Sequence, residues 1–132
     1  MSQADIETLR AGYEAGSRGD LEGAFRDVHP DFELQAADRV PSPGTYRGPE
    51  EARRFIEDML EPFEEVTAEP EEFFENGDRI AVILHLRYRP RGSSAEMENR
   101  VGHLWTMRDG KAARLQIFLE REKALEAAGL RE

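Results

Sequence analysis

The chain has 132 residues, of which 39% are hydrophobic and 35% charged, and 18 basic against 28 acidic residues give a net charge of −10. This length fits a single domain over residues 1–132, and the acidic balance argues against a nucleic-acid or anionic-membrane partner, because phosphate binding needs a basic surface. The chain has no cysteine, which excludes disulfides, thiolate catalysis and cysteine zinc sites. No apolar run approaches the roughly 20 residues of a membrane span, and residues 1–16 lack a signal-peptide pattern, so we expect a cytoplasmic protein.

The first half of the chain predicts three helices, one short strand and a loop. Apolar residues recur at helical spacing over residues 2–19, which open on a capping Ser, and over 20–30, which open on a capping Asp and close on Pro. Residues 32–34 alternate like a strand. The Pro- and Gly-rich stretch 35–48 indicates a loop, either a lid over a site or plain coil. A strong apolar stripe over 49–62, with Pro at its start, predicts the third helix.

The second half predicts a long antiparallel meander and a short closing helix. Pro70 interrupts a weak strand over residues 66–74, which indicates an edge strand or a bulge. The clearest strand spans residues 80–88, and a short helix follows at 121–128. Opposite charges set the register between the clearest strand and the next one, with these pairs: Arg87–Glu98, Arg89–Glu96, Val82–His103 and Leu84–Val101.

Asp109-Gly110 predicts a two-residue hairpin turn within residues 100–119, because both positions of a type I′ turn need positive φ. Pairing the strands across that turn places three pairs on one face, together with Asn99 and Glu120: Trp105–Arg114, His103–Gln116 and Val101–Phe118. This face mixes apolar and polar groups, which suits a ligand pocket. The opposite face, with Leu115 and Ile117, is nearly all apolar, and we expect it to meet another subunit.

These elements resemble the SnoaL-like group of the NTF2-like superfamily, which is similar to ketosteroid isomerases. The resemblance is carried by three segments: GDLEGAFRDVHPDFEL (19–34), TYRGPEEARRFIEDM (45–59) and LWTMRDGKAARLQIFLEREKALEAAGL (104–130). It implies an α+β cone, in which three N-terminal helices pack on a curved antiparallel sheet and a short C-terminal helix follows. It also implies a pocket between the helices and the concave sheet face, and a homodimer through the convex face.

The resemblance further implies chemistry without a metal or organic cofactor, with one carboxylate or histidine as acid/base. The Asp base, Tyr and protonated Asp of ketosteroid isomerases are not matched in this chain, and neither is the Asp base of polyketide cyclases. The carboxylate expected nearest the pocket is Glu120. The three histidines, at positions 29, 85 and 103, lack metal-ligand spacing, so we expect no metal.

His103 is the leading catalytic candidate, because histidine titrates near neutral pH and moves a proton in either direction; the alternative is a structural histidine satisfied by hydrogen bonds. Glu120 is a base or the group that orients His103, or else a solvent-facing carboxylate at a helix start. Arg114 clamps an anionic substrate or stacks on the Trp105 indole. The remaining candidates for substrate binding are aromatic, apolar or amide side chains expected along the pocket: Tyr13, Phe32, Tyr46, Phe55, Met59, Asn99, Val101, Trp105, Gln116 and Phe118.

Two hypotheses for function follow from these features. One is a cofactor-independent isomerase, cyclase, dehydratase or hydrolase that acts by proton transfer on a small, partly apolar substrate. The alternative is a non-catalytic small-molecule binding protein or dimeric scaffold domain. An enzyme needs His103 near a second polar group and open to substrate, whereas a scaffold needs it closed off and fully hydrogen-bonded.

Overall fold

The computed structural model describes residues 3–36 and 44–130. Within those ranges lie four helices and six strands, in this order: α1 (Gln3–Ser17), α2 (Leu21–Ala24), β1 (Glu33–Ala36), β2 (Gly44–Arg47), α3 (Pro49–Leu60), β3 (Phe63–Asn76), β4 (Arg79–Pro90), β5 (Met97–Arg108), β6 (Lys111–Phe118) and α4 (Arg121–Ala127). Strand β2 was not predicted, since it lies in the stretch expected to be loop. Most of that stretch, with its question of a lid, lies outside the described residues, as does the Ser2 cap. None of the helices in the described ranges is long and apolar enough to cross a membrane.

The six strands form one open, curved sheet in the order β2-β1-β6-β5-β4-β3. Strand β1 runs parallel to β6, whereas the other neighbouring pairs in the described sheet are antiparallel. The prediction of a wholly antiparallel sheet is therefore wrong at this junction. Parallel pairing requires a long crossover connection, and the chain supplies one because α3 and the strands β2 to β5 lie between the two partners. The fold is α+β with a mixed sheet.

Short-range sequence signals for caps and bulges are confirmed. Asp20 caps α2, and its Oδ1 accepts the Gly23 backbone N–H at 2.9 Å. Pro49 occupies the first turn of α3. Pro70 lies in an edge strand, and the β3–β4 register shifts between Pro70 and Glu72. Both features suit a residue that has no N–H to donate to a neighbouring strand.

The predicted register between β4 and β5 is confirmed for three pairs: Val82–His103, Leu84–Val101 and Arg87–Glu98. The fourth, Arg89–Glu96, lies beyond the ladder because β5 begins at Met97. Arg89 instead contacts Glu65 of β3 at 3.4 Å. Alternating charge along the exposed end of these strands was therefore a correct guide to their pairing.

The predicted register between β5 and β6 is wrong beyond the turn. Asp109 and Gly110 have the expected positive φ, 56° and 77°, and next to the turn Met107 pairs with Ala112. The ladder then shifts by one residue, so that Ala113 is the extra residue of a β-bulge. Because side chains alternate, a one-residue shift moves every later side chain of β6 to the opposite face.

The shift places these cross-strand neighbours together: Trp105–Leu115, His103–Ile117, Leu104–Gln116 and Gly102–Phe118. We call the side with Val82, His103, Trp105, Leu115 and Ile117 the His103 face, and the side with Ala81, Gly102, Leu104, Gln116 and Phe118 the α4 face. The predicted placement of Arg114, Gln116 and Phe118 beside His103 and Trp105 is therefore wrong, since all three lie on the α4 face.

Each face has its own core. The His103 face packs against α1 and α3, whose buried Leu9, Ala52 and Phe55 join its main apolar cluster. The α4 face packs against the short C-terminal helix through Leu125 and Ala128. Leu115 and Ile117, which we expected on a bare face that meets another subunit, are buried in the first core. The bulge thus removes the basis on which that subunit contact was predicted.

Candidate functional site

Three side chains of the His103 face form a hydrogen-bonded chain. Tyr13 lies one helical turn after the buried Leu9 on α1, so it points at the sheet. His103 and Trp105 are two residues apart on β5 and therefore share that face. The Tyr13 hydroxyl lies 2.7 Å from His103 Nδ1, and the Trp105 Nε1–H donates to the same hydroxyl oxygen at 2.7 Å. Sequence reasoning had named all three residues without predicting that they contact one another.

The direction of these hydrogen bonds assigns the protons. Indole Nε1–H is a donor only, so the Tyr13 oxygen accepts from Trp105. The hydroxyl proton of Tyr13 is then free to be donated to His103 Nδ1. A neutral imidazole that accepts at Nδ1 carries its proton at Nε2. The arrangement therefore favours the Nε2–H form of His103.

Burial keeps both titratable side chains of this hydrogen-bond network, Tyr13 and His103, uncharged. It lowers the pKa of His103 from 6.5 to about 4, because a charged ring is poorly solvated there. Burial also raises the pKa of Tyr13 well above its ordinary value, and the hydrogen bond from Trp105 offsets part of that effect. At neutral pH the site offers a neutral imidazole and a neutral phenol. His103 can donate a hydrogen bond and is a weak base.

Apolar and aromatic groups surround the chain of hydrogen bonds. The Tyr13 and His103 rings stack with centroids 5.7 Å apart, and the Trp105 ring meets Tyr13 edge-on at 5.9 Å. Phe32 lies 6.3 Å from Trp105 and is fully buried. Val101 follows on the same strand face and is also buried. These predicted binding residues share the face with His103.

The other candidates on this side of the sheet lie farther from the ring of His103. Tyr46 on β2 stacks on Phe55 of α3, with centroids 4.4 Å apart, and Met59 packs against the same cluster. Asn99 pairs with Leu86 toward the open end of β5 and is exposed. They form the periphery of the face and not the immediate surroundings of His103.

Arg114 and Gln116 share one hydrogen-bond acceptor on the α4 face of the sheet. The Arg114 guanidinium and the Gln116 amide both donate to Gln35 Oε1, at 2.7 and 3.2 Å. Phe118 packs into the cluster beneath α4. The alternative in which Arg114 stacks on Trp105 and the predicted pairing of Gln116 with His103 are therefore wrong, because the bulge moves both side chains to the α4 face.

Glu120 also lies toward α4. It occupies the capping position before that helix and is exposed, and its carbonyl oxygen lies 3.4 Å from where a Cβ on Gly102 would stand. The cause of the lowered His103 pKa is burial, not a carboxylate neighbour. The expectation that Glu120 shares a face with His103 and orients it does not hold.

His85 organises a second polar cluster, on the α4 face. Its Nε2 lies 2.5 Å from Glu98 Oε1 and its Nδ1 lies 3.9 Å from Glu71 Oε2. The hydrogen bond from His85 lowers the pKa of Glu98, and that from Arg100, at 2.8 Å, lowers the pKa of Glu71. These contacts join β3, β4 and β5. The predicted Arg87–Glu98 pairing was the signal that could have revealed them.

A cavity of about 380 Å³ opens near the turn of the β5–β6 hairpin, away from these three residues. It is lined by the carboxylates of Asp31, Glu33 and Asp78 and by Arg108 and Arg114. His103 is not part of its lining. In the described part of the chain, no group of three or more His, Asp or Glu side chains could hold a metal ion.

Comparison with known proteins places this geometry in a family. The model of the SnoaL-like domain matches residues 9–115, which is more than half of the chain. No protein with a curated function matches the sequence significantly.

Three solved structures illustrate the likeness in fold. TerC, co-crystallised with polyporic acid, is 26% identical, with 96% of this chain and 99% of that chain covered and a TM-score of 0.79. An NTF2-like protein of unknown function from Burkholderia pseudomallei is also 26% identical, with 96% and 97% covered and a TM-score of 0.79. A protein with a ketosteroid isomerase-like fold from Catenulispora acidiphila, in complex with trimethylamine, is 12% identical, with 98% and 95% covered and a TM-score of 0.72.

The family match covers α2, α3 and most of the sheet, including the strand that carries His103 and Trp105. The solved structures share the order of helices and strands along nearly the whole chain. The chain therefore belongs to the SnoaL-like domain family and has an α+β, NTF2-like fold related to that of ketosteroid isomerases.

Proposed function

We propose that the His103 face binds a small, partly apolar molecule, and that the protein acts on it by proton transfer as a cofactor-independent isomerase, cyclase, dehydratase or hydrolase. The observation that carries the proposal is the Trp105–Tyr13–His103 chain of hydrogen bonds, which ends on a neutral imidazole among aromatic rings. A few polar groups placed in an apolar concave surface are typical of ligand sites.

His103 Nε2, which has no hydrogen-bond partner among the described residues, supports the binding of a ligand at this ring. Its single hydrogen bond among the described residues is at Nδ1. Arg114 Nε is the only fully buried side-chain nitrogen or oxygen there without a partner. His103 Nε2 therefore has no hydrogen-bond partner among the described residues and is not completely buried.

Chemically, such a histidine resembles a neutral electrophile. An Nε2–H that donates to a carbonyl oxygen polarises the carbonyl and stabilises the enolate that forms when a neighbouring C–H proton leaves. The neutral ring already carries this proton at pH 7, so it donates the hydrogen bond without first gaining a proton from solvent. The departing proton is taken by hydroxide or a buffer base from solvent, because the sequence candidate Glu120 lies on the α4 side of the sheet.

A second candidate function is non-catalytic small-molecule binding. Its support is the low pKa of His103, which makes the ring a weak base, together with the absence of any contribution from a described carboxylate to that pKa. Both functions use the same face and differ in whether a proton moves.

Binding is tested with polyporic acid, an aromatic hydroxyquinone, because a relative of similar length was crystallised with it. Trp105 is the only tryptophan of the chain, so its fluorescence reports on this face, and titration calorimetry gives an independent affinity. We expect saturable binding that His103→Leu weakens and that His29→Gln, a change on the segment after α2, leaves intact. Binding unaffected by His103→Leu would contradict the assigned site.

Catalysis is tested by deuterium exchange. An aromatic methyl ketone, 2-acetylnaphthalene, has acidic C–H bonds next to its carbonyl, and NMR in D₂O follows their replacement by deuterium. An enzyme that moves protons accelerates this exchange above the buffer rate, and His103→Leu abolishes the acceleration. Tight binding without accelerated exchange would favour the non-catalytic function.

We also propose a homodimer through the convex side of the sheet and a cytoplasmic location. The location rests on the absence of cysteine. The dimer no longer has an apolar Leu115 face as its basis, and its remaining support is the resemblance to the family. Sedimentation velocity tests it, and a monomer at micromolar concentration would contradict it.

A further inference from the structure

We infer that Tyr13 and Trp105 are positioning residues that hold His103 as its Nε2–H tautomer, so that the ligand atom received there is a hydrogen-bond acceptor: a carbonyl, quinone or enolate oxygen. This inference rests on the proposed binding function and adds to it the ligand's chemical class. Its first part concerns the protein without ligand and is testable alone.

The first of the two hydrogen bonds runs from Trp105 to Tyr13. Trp105 Nε1 can only donate, and its partner at 2.7 Å is the Tyr13 oxygen. The 2.7 Å contact between Tyr13 and His103 Nδ1 then has two possible directions. Either the hydroxyl donates to Nδ1, or a protonated Nδ1 donates to the hydroxyl.

Donation from a protonated His103 Nδ1 to the Tyr13 hydroxyl is unfavourable. If Nδ1 donated, the Tyr13 oxygen would accept twice and its own proton would need another acceptor. Among the described residues, Trp105 and His103 are the hydrogen-bond partners that the hydroxyl has. A buried hydroxyl proton without an acceptor is unfavourable, so the hydroxyl donates to Nδ1 and the ring proton stays at Nε2.

Rigid elements of the fold hold the Trp105–Tyr13–His103 hydrogen bonds in place. His103 and Trp105 belong to a strand with hydrogen-bonded neighbours on both sides, β4 and β6. Tyr13 is fixed between both rings, with centroids 5.7 and 5.9 Å from theirs. Groups on rigid elements with supporting hydrogen bonds keep one orientation, as a preorganised site requires.

The proton on His103 Nε2 determines which ligand atom can bind there. An Nε2–H that has no partner among the described residues pairs with an acceptor and is unfavourable beside an ammonium, hydroxyl proton or other donor. The rings of Tyr13 and Trp105 lie beside His103 and are partly exposed, so the rest of the ligand meets aromatic surface. A flat apolar molecule with a carbonyl-type oxygen satisfies both requirements.

The tautomer is measured by NMR on ¹⁵N-labelled protein near neutral pH, since ring nitrogens with and without a proton have well-separated ¹⁵N shifts. We expect a protonated Nε2 and an unprotonated Nδ1 for His103. In Tyr13→Phe, which lacks the hydroxyl, we expect the Nδ1 shift to move and the Nδ1–H form to become populated. A merely structural tyrosine would leave the tautomer unchanged.

The ligand class is measured with two probes of closely matched shape, 2-acetylnaphthalene and 2-isopropenylnaphthalene, in which a CH₂ group replaces the carbonyl oxygen. One added hydrogen bond should make the ketone bind roughly fivefold more tightly than the hydrocarbon to the wild-type protein. In His103→Leu the ratio should fall to about one or below, because no donor remains to replace the water that the carbonyl oxygen loses. His29→Gln should keep the wild-type ratio.

The outcomes separate this inference from the proposed function. A wild-type Nδ1–H tautomer overturns the positioning role, whatever binds. The expected tautomer with equal affinities for both probes overturns the ligand class and leaves binding itself intact. If neither probe binds while the tautomer is as expected, the positioning role stands and the proposed binding function fails.

Discussion

Acidification should destabilise the folded protein through His103. The pKa of its ring is about 4 in the folded protein and 6.5 ordinarily, so below about pH 6.5 the unfolded chain binds a proton that the folded chain does not. The contribution of the neutral His103 ring to the free energy of unfolding is therefore fully present above pH 6.5 and decreases as the pH drops toward 4. Each pH unit in that window is worth about 1.4 kcal/mol, which gives a loss of about 2 kcal/mol at about pH 5.

The assay is urea denaturation at about pH 8 and about pH 5, followed by Trp105 fluorescence, for the wild type and for His103→Gln. All other ionisable groups are common to both proteins, so their contributions cancel in the difference between the two pH dependences. We expect the wild type to lose about 2 kcal/mol more than the variant between the two pH values. Equal pH dependence in both proteins would refute the reasoning, because it would mean that the folded His103 takes up its proton as readily as the unfolded one.

Three further substitutions test packing and hydrogen bonding. Gly102→Ala should destabilise the protein by about 1–3 kcal/mol in urea denaturation, because the added Cβ would overlap Ala124 of α4. Gly16→Ala, also a glycine change but with open space around the new Cβ, should instead raise stability by about 0.5–1 kcal/mol; a loss there would contradict the packing argument. Tyr13→Phe should lower stability by about 1–3 kcal/mol, since it leaves the Trp105 indole N–H without its acceptor, and the emission maximum of that single tryptophan should shift.

Local chemistry made much of the fold predictable from the sequence. The Asp20 cap, the proline at the start of α3 and the Asp109-Gly110 turn each depend on one or two residues and their immediate neighbours. The β4–β5 register followed from opposite charges across the ladder, of which Arg87–Glu98 is an example. Such features are encoded within a few residues and need no knowledge of the rest of the molecule.

The β6 side of the candidate site could not be predicted in this way. A bulge at Ala113 inserts one residue, and no feature of an Ala-Ala pair marks it in the sequence. With side chains alternating, that single residue moved Arg114 and Gln116 to the α4 face and brought Leu115 and Ile117 to the His103 face. The core decides the register here, because the shift buries the two aliphatic side chains against α1 and α3.

The contacts among Tyr13, His103 and Trp105 also depend on tertiary structure. Tyr13 is 90 residues from His103 along the chain, and the packing of α1 on the sheet brings them together. The sequence showed that each residue faced a shared interior. It could not show that a phenol would lie between an indole donor and an imidazole acceptor, which is the feature that assigns the proton.

The most direct test of the central claim is a crystal structure of the protein with 2-acetylnaphthalene. We expect the ketone oxygen within about 2.7–3.2 Å of His103 Nε2, with the naphthalene ring against Trp105 and the Tyr13–His103 hydrogen bond unchanged. A ligand bound in the cavity beside Arg114, with His103 Nε2 untouched, would contradict it.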